Sequence, residues 1–183
     1  MNRKPEEWKV VESREIADCR VFKVREDLSE SQGKRAAFFV VENPDWVNVV
    51  ALTADHRVVL IEQFRHGAGQ VTVEIPGGMI DNLEDPETAA RRELLEETGY
   101  TSGNWVYLGT SWPNPAIQSN VIHHYLAVNA ERTADVMFDE HESVATRLAH
   151  INEIPDLIRN GTIRHSLVVA AFQYFSFRWL TSI

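Results

Sequence analysis

The stretch Gly78-Met-Ile-Asp-Asn-Leu-Glu84-Asp-Pro-Glu-Thr-Ala-Ala-Arg-Arg92-Glu93-Leu94-Leu-Glu96-Glu97-Thr-Gly99-Tyr100 decides how the rest of the chain is read. Asp85 suits the N-cap of a helix, and Pro86 suits its first position, where a missing N–H costs nothing. Good helix formers continue through Glu97, and Gly99 fits the residue just past the end. At 3.6 residues per turn, Glu93, Glu96 and Glu97 stand at i, i+3 and i+4, so their carboxylates share one face. Like charges at these spacings repel. Taken alone, the three glutamates read either as a solvated acidic helix face or as a site for a cation. Hard oxygen donors would favour Mg²⁺, with Mn²⁺ as the substitute, and no His/Cys pair at ligand spacing suggests zinc.

Working outward from this helix, the opening third of the chain reads as strands. Trp8 to Glu12, Cys19 to Arg25 and Ala36 to Glu42 are short and rich in β-branched and aromatic residues. The polar run from Ser29 to Lys34 reads as turn material between them. Trp46 to Leu52, Arg57 to Phe64 and Gln70 to Ile75 continue the pattern, the last running into Pro76-Gly77-Gly78. Beyond the helix, Trp105 to Ser111, Ile122 to Val128 and Val144 to Ala149 return to strand character. Two helices close the chain, around Glu153 to Asn160 and from Ser166 to about Trp179. Strands around a central helix, with helices at the end, predict an α+β domain of layered α/β/α form.

Composition bounds the function. The 27 acidic and 18 basic residues give a net charge of −9, which argues against sequence-independent nucleic-acid binding. A small phosphorylated substrate bound through cations is compatible with that charge. Cys19 is the only cysteine, so no intrachain disulfide can form. Met1 to Val10 carries no apolar core of a signal peptide, and the apolar stretch Leu167 to Leu180 is too short to span a bilayer. The expectation is a cytoplasmic protein with no membrane or nucleic-acid partner.

The spacing of the wider segment separates the two readings of the glutamates. Gly78, Glu84, Arg92, Glu93, Glu96, Glu97 and Gly99 stand at the fixed positions of the Nudix signature, with Leu94 at its bulky apolar position. Seven identities at ordinary background usage coincide by chance roughly once in 10⁸ starts. Tyr100 stands where an aliphatic residue is more usual. The chain from Val47 onward therefore resembles the Nudix family, most specifically in this box.

That resemblance implies a division of labour. Glu93 and Glu97 are expected as principal metal ligands and Glu96 as the helper, with the backbone carbonyl of Gly77 completing a metal shell. Arg92 and Glu84 are expected to orient the carboxylates, and Gly77-Gly78 to permit close backbone approach. In physical terms, cations over such carboxylates offset negative charge on a diphosphate and make a bound water more acidic.

Features outside the box narrow the expected substrate. Glu62-Gln63-Phe64-Arg65 and Glu74-Ile75-Pro76 resemble the subgroup acting on ADP-ribose and other nucleoside diphosphate sugars. Arg65 would then face the diphosphate, a task suited to a guanidinium fork, or remain a surface arginine. Glu74 would belong to the site or cap the turn. Pro115 lies where the ADP-ribose pyrophosphatases carry a proline, although the following residues depart from their pattern. Trp46 and Phe39 could stack on a base, whereas His123 and His124 are read as structural.

The general base is expected on Glu140, with Glu142 as the second choice, in a loop after the box. Residues 1–45 exceed the minimal family fold and are expected to form an antiparallel β extension that builds a homodimer. Residues 46–183 would be the hydrolase domain. The expected reaction is metal-dependent cleavage of ADP-ribose, GDP-mannose or a similar nucleotide sugar to a nucleoside monophosphate and a sugar phosphate. Rival expectations are hydrolysis of nucleoside triphosphates or dinucleoside polyphosphates, and a non-catalytic nucleotide sensor.

Overall fold

The computed structural model describes residues 4–136 and 143–180. The chain divides into two compact units. The first comprises Met1–Pro44 with Trp112–Asn120, and the second comprises Asp45–Ser111 with Val121–Ile183.

In the first unit, β1 (Lys9–Asp18), β2 (Lys23–Ser31) and β3 (Lys34–Glu42) form an antiparallel sheet in that order. The strand β2 starts and ends several residues later than its sequence suggests. It runs through Ser31 into a two-residue turn with positive φ at both Gln32 (47°) and Gly33 (77°), the geometry that matches strand twist in a tight hairpin. The reason is chemical. The buried positions of β2 are Asp27, Ser29 and Ser31, so its alternation carries no hydrophobic signal. Asp27 is satisfied there by the Ser13 hydroxyl at 2.6 Å and the Arg25 guanidinium at 3.0 Å. Its carboxyl is held below the ordinary range, chiefly by the Ser13 hydrogen bond. Segment 112–120 attaches to β3 through Val41 N–H to Ile117 O at 2.7 Å and Ser119 N–H to Val41 O at 3.2 Å.

The second unit is a mixed sheet clad by helices on both faces. Its strands are β4 (Trp46–Leu52), β5 (Arg57–Arg65), β6 (Gln70–Glu74), β7 (Gly77–Met79), β9 (Asn104–Ser111), β10 (Ile122–Val128) and β12 (Val144–His150). The main path is β12-β5-β4-β10-β9, in which β4 and β10 run parallel and the other neighbours are antiparallel. The short strands β8 (Tyr100–Thr101) and β11 (Glu131–Arg132) pair separately. Helix α1 (Pro86–Thr98) follows β7. A 3₁₀ turn at Ile151–Glu153, α2 (Ile154–Arg159) and α3 (Ser166–Leu180) close the chain. This is the layered α/β/α arrangement expected from the sequence, with the antiparallel extension before it. Among the described residues, no helix is long and apolar enough to cross a membrane.

Alternation along β4 explains the layers. Val47, Val49 and Ala51 pack with Ala89, Ala90 and Leu94 of α1, while Val50 and Leu52 pack with Ile154, Val168, Ala171 and Phe172 from the other side. A strand covered on both faces must be apolar at every position or nearly so. Asn48 is the buried exception in β4.

The strands β4 and β5 touch at only one register pair, Leu52 with Val58, and then splay apart. The gap is filled by β6 pairing with β5 and β7 pairing with β4. At the join, the Val49 N–H donates to Pro76 O at 2.8 Å. The Gly77-Gly78 segment is therefore part of a short strand laid along β4.

Helix α1 has the ends its sequence suggests. Asp85 accepts hydrogen bonds from the N–H groups of Glu87 and Thr88, and the Gly99 N–H closes the last turn onto Leu95 O at 2.8 Å. Gly99 sits at φ 73°. Leu94 is fully buried between α1 and the sheet. Leu94→Ala is expected to cost about 3 kcal/mol through lost transfer energy and the cavity left behind, measured by urea denaturation.

Candidate active site

The site is built where α1 crosses the β7 end of β4. The Arg92 guanidinium organises it. Its Nε and Nη2 fork onto Glu84 at 3.0 and 2.9 Å, and Nη2 also donates to Met79 O at 3.1 Å. Its Nη1 donates to Glu93 at 2.8 Å and to Glu96 at 3.2 Å. The hydrogen bonds it donates to Glu84, together with the nearby charges, raise Arg92 well above its ordinary pKa. The same fork, with help from the Asp81 N–H, holds Glu84 below the usual carboxylate range. One cation thus ties the helix to the loop before it and to the backbone of β7.

The three box glutamates differ in setting. Glu97 is buried and accepts a hydrogen bond from the Gly77 N–H at 2.9 Å. Glu93 is mostly buried and sits against Gly78, where a Cβ would lie 2.6 Å from its Cδ. Glu96 is the most exposed of the three. A Cβ on Gly77 would lie 2.8 Å from the Asn48 Cα. The two glycines are required by this double approach, one against β4 and one against the Glu93 carboxylate.

The donor set fits a hard divalent cation. It consists of carboxylate oxygens on one helix face beside a backbone segment that no side chain obstructs. Among the described residues, no three His, Cys, Asp or Glu side chains already converge into a ligand cluster. In this arrangement Glu93 and Glu96 share Arg92, and Glu97 holds the β7 backbone.

Arg65 and Glu74 are brought together on β5 and β6, facing each other rather than standing as separate groups. Arg65 forks onto Glu74 through Nε at 2.9 Å and Nη2 at 2.8 Å, and the Thr72 hydroxyl adds 2.6 Å. Burial alone would raise the Glu74 pKa. The Arg65 and Thr72 hydrogen bonds and the positive field of Arg65 and His165 outweigh it, so the carboxyl lies below its ordinary range. The ring of His165 is itself pushed down by burial.

Trp46 opens β4 opposite Met79 of β7 and Ile122 of β10, half-buried. Pro115 lies exposed in segment 112–120 of the first unit. Glu140 and Glu142 lie outside the described residues.

Sequence reasoning passed over one feature, a buried polar chain beneath the β7 backbone. His124 is fully buried, with Nδ1 2.7 Å from Asn48 Oδ1 and Nε2 2.9 Å from the Ser111 hydroxyl. The Asn48 Nδ2 donates to Leu167 O at 3.1 Å. Because the Asn48 amide nitrogen is spent on a carbonyl, its oxygen must accept from His124, which places the ring proton on Nδ1. Burial pushes His124 down to about 4, so the ring is neutral. Tyr174 of α3 stacks on it with 5.0 Å between centroids. His124, read from the sequence as structural, is buried with a hydrogen-bond partner at each ring nitrogen. The signal for more was Asn48, a polar residue inside an otherwise apolar strand.

The layered domain thus carries one helix face of carboxylates gathered around a single arginine. The NUDIX domain matches residues 43–172, so this chain belongs to the Nudix family. A methanol dehydrogenase activator of Bacillus methanolicus is 31% identical over 92% of each chain. An ADP-ribose pyrophosphatase of Bacillus subtilis (strain 168) is 27% identical over 93% of this chain and 96% of its own. The crystal structure of an ADP compounds hydrolase shares the fold with a TM-score of 0.85, covering 99% of this chain and 98% of its own at 21% identity.

The Arg65–Glu74 pair gives a stability test. A carboxylate whose folded pKa is depressed contributes stability above its unfolded pKa and loses it as pH falls through the folded value. Arg65→Met leaves Glu74 buried without its fork, so burial then raises the carboxyl instead. Arg65 is partly exposed, which discounts the loss to about 2 kcal/mol at pH 7.5. Urea denaturation should show that loss shrinking at pH 5, where Glu74 can protonate.

Proposed function

We propose that this protein hydrolyses the diphosphate bond of nucleoside diphosphate sugars, with ADP-ribose first and GDP-mannose second among the substrates, using Mg²⁺ or, in its place, Mn²⁺. The observation that carries the reading is the acidic face of α1 organised by Arg92 beside the Gly77-Gly78 backbone. The ADP-ribose pyrophosphatase likeness across nearly the whole chain supports the substrate class.

In this reading Glu93 and Glu97 hold the divalent cation, Glu96 assists and the Gly77 carbonyl completes the shell. When bound, the cation supplies charge neutralisation for the diphosphate oxygens and acidifies a water. The chain's own residues do the rest. Arg92 and Glu84 keep the glutamates in place. The absence of side chains at Gly77 and Gly78 lets the β7 backbone lie close against β4 and the Glu93 carboxylate. Arg65, partly exposed, faces the diphosphate in this reading while Glu74 fixes the plane of its guanidinium. Glu140, or failing that Glu142, takes the proton from the attacking water, and Trp46 and Pro115 border the nucleotide. The products are AMP and ribose 5-phosphate from ADP-ribose, or GMP and mannose 1-phosphate from GDP-mannose.

We also infer that residues 1–45 build a homodimer. Trp8, Val10, Ile16, Phe38 and Phe39 leave a good part of their apolar surface exposed on the first unit, which a second copy could cover. The protein is proposed to work in the cytoplasm, where its single cysteine stays reduced.

A panel of nucleotide sugars, triphosphates and dinucleoside polyphosphates, assayed for monophosphate, phosphate and pyrophosphate, tests the proposal. Monophosphate from ADP-ribose or GDP-mannose in the presence of Mg²⁺ is expected. Pyrophosphate released from a triphosphate, with sugar nucleotides untouched, would contradict it. Glu97→Gln should lower turnover by more than the roughly 10–100-fold that loss of an outer partner costs. Tight nucleotide binding with no turnover by the wild type would mark a sensor instead.

A further inference from the structure

The register of the sheet puts Asn48 directly opposite Gly77. Gly77 has no room for a side chain because the Val47 carbonyl oxygen, together with the Cα and Cβ of Asn48, forms the floor beneath it. The backbone above that floor is the one whose N–H holds Glu97. The position of Asn48 in turn is set from below at two points, by Leu167 O of α3 and by the His124 ring, whose far nitrogen is fixed by Ser111. Ring orientation is set again by Tyr174, which stacks on the imidazole and donates its hydroxyl to Thr110 O at 2.7 Å.

A buried chain of this kind is an expensive way to fill space. An apolar residue would pack as well at Asn48, with its neighbours Val47, Val49 and Val50 all apolar and buried. What the polar chain adds is direction, since each group accepts from or donates to one specified partner. We propose that Asn48 and His124 are positioning residues. Through the floor under Gly77 they fix where the β7 backbone meets Glu97, and so tune the affinity of the divalent cation site. The inference rests on the proposed metal-binding role of Glu93, Glu97 and Gly77.

Two replacements of His124 separate positioning from packing. His124→Asn can present an N–H to Asn48 where Nδ1 stood but loses Ser111. His124→Gln can reach Ser111 where Nε2 stood but loses Asn48. The Asn variant leaves the larger cavity, so packing alone would make it the weaker binder of the two. Mn²⁺ binding is measured without substrate by the electron paramagnetic resonance signal of the free ion, alongside the thermal midpoint of each variant. The Gln variant should weaken Mn²⁺ binding about tenfold, in the range found for outer partners of metal ligands, while the Asn variant, which keeps the Asn48 contact and loses only Ser111, weakens it by a clearly smaller factor. Hydrogen exchange at the Gly77 N–H should quicken most in the Gln variant.

Ser111→Ala, a milder cut at the outer end, should weaken Mn²⁺ in the same direction by a smaller factor and keeps the test decisive if the Gln variant does not fold. Equal Mn²⁺ affinity in the Asn and Gln variants, whether both retained or both lost, overturns the inference while leaving the proposed function standing. No effect of Ser111→Ala when the Gln variant is unfolded overturns it too. A wild type that binds no Mn²⁺ overturns the proposed function and this inference with it.

Discussion

The guanidinium of Arg92 is the point on which the acidic face of α1 depends. Three carboxylates stacked within one turn repel, and a helix carrying them needs compensation. Arg92 supplies part of it by reaching Glu93 and Glu96 with one nitrogen while its other two donors fork onto Glu84 and touch the Met79 carbonyl. The planar fork makes this possible. A lysine would offer one compact charge and could not hold two elements at once. The same contacts pin α1 to β7, so the helix, the preceding loop and the glycine strand form one rigid construction.

That rigidity has a cost elsewhere in the sheet. To bring Gly77 and Gly78 against the helix, β4 and β5 must part after a single register pair, and the gap must be filled. The strands β6 and β7 fill it, each taking up the hydrogen bonds that its neighbour would otherwise leave unmade. The splay also places the Arg65–Glu74 pair, with its carboxylate buried and its arginine partly exposed, on the β5–β6 arm, across the gap from the β4–β7 arm that faces α1. Two paired charge systems thus flank the opening in the sheet.

Much of this was legible in the sequence, for identifiable reasons. Helix α1 announced itself at both ends, through Asp85-Pro86 and Gly99, and the spacing of Glu84, Arg92, Glu93, Glu96 and Glu97 carried the family. The layers followed from strands surrounding a central helix, with helices at the end of the chain. Three things were hidden. The strand β2 turns small polar residues inward, so hydrophobic alternation could not set its limits. The strand β7 is three residues long and contains two glycines, a composition that reads as a turn until a partner strand claims its backbone. The partnership of Arg65 with Glu74 spans two strands, and each residue alone suggested an independent role. The chain through Asn48, His124 and Ser111 is likewise a product of register, because residues far apart in sequence meet only when β10 lies parallel to β4.

The central claim is that the α1 face and the Gly77 backbone together hold the catalytic cation. Crystals soaked in Mn²⁺ with ADP-ribose test it most directly, through the anomalous signal of the ion. The account predicts an anomalous peak coordinated by carboxylate oxygens of Glu93 and Glu97 and by the Gly77 carbonyl. Ordered ADP-ribose with no peak on that face, or a peak held wholly by other residues, would contradict it.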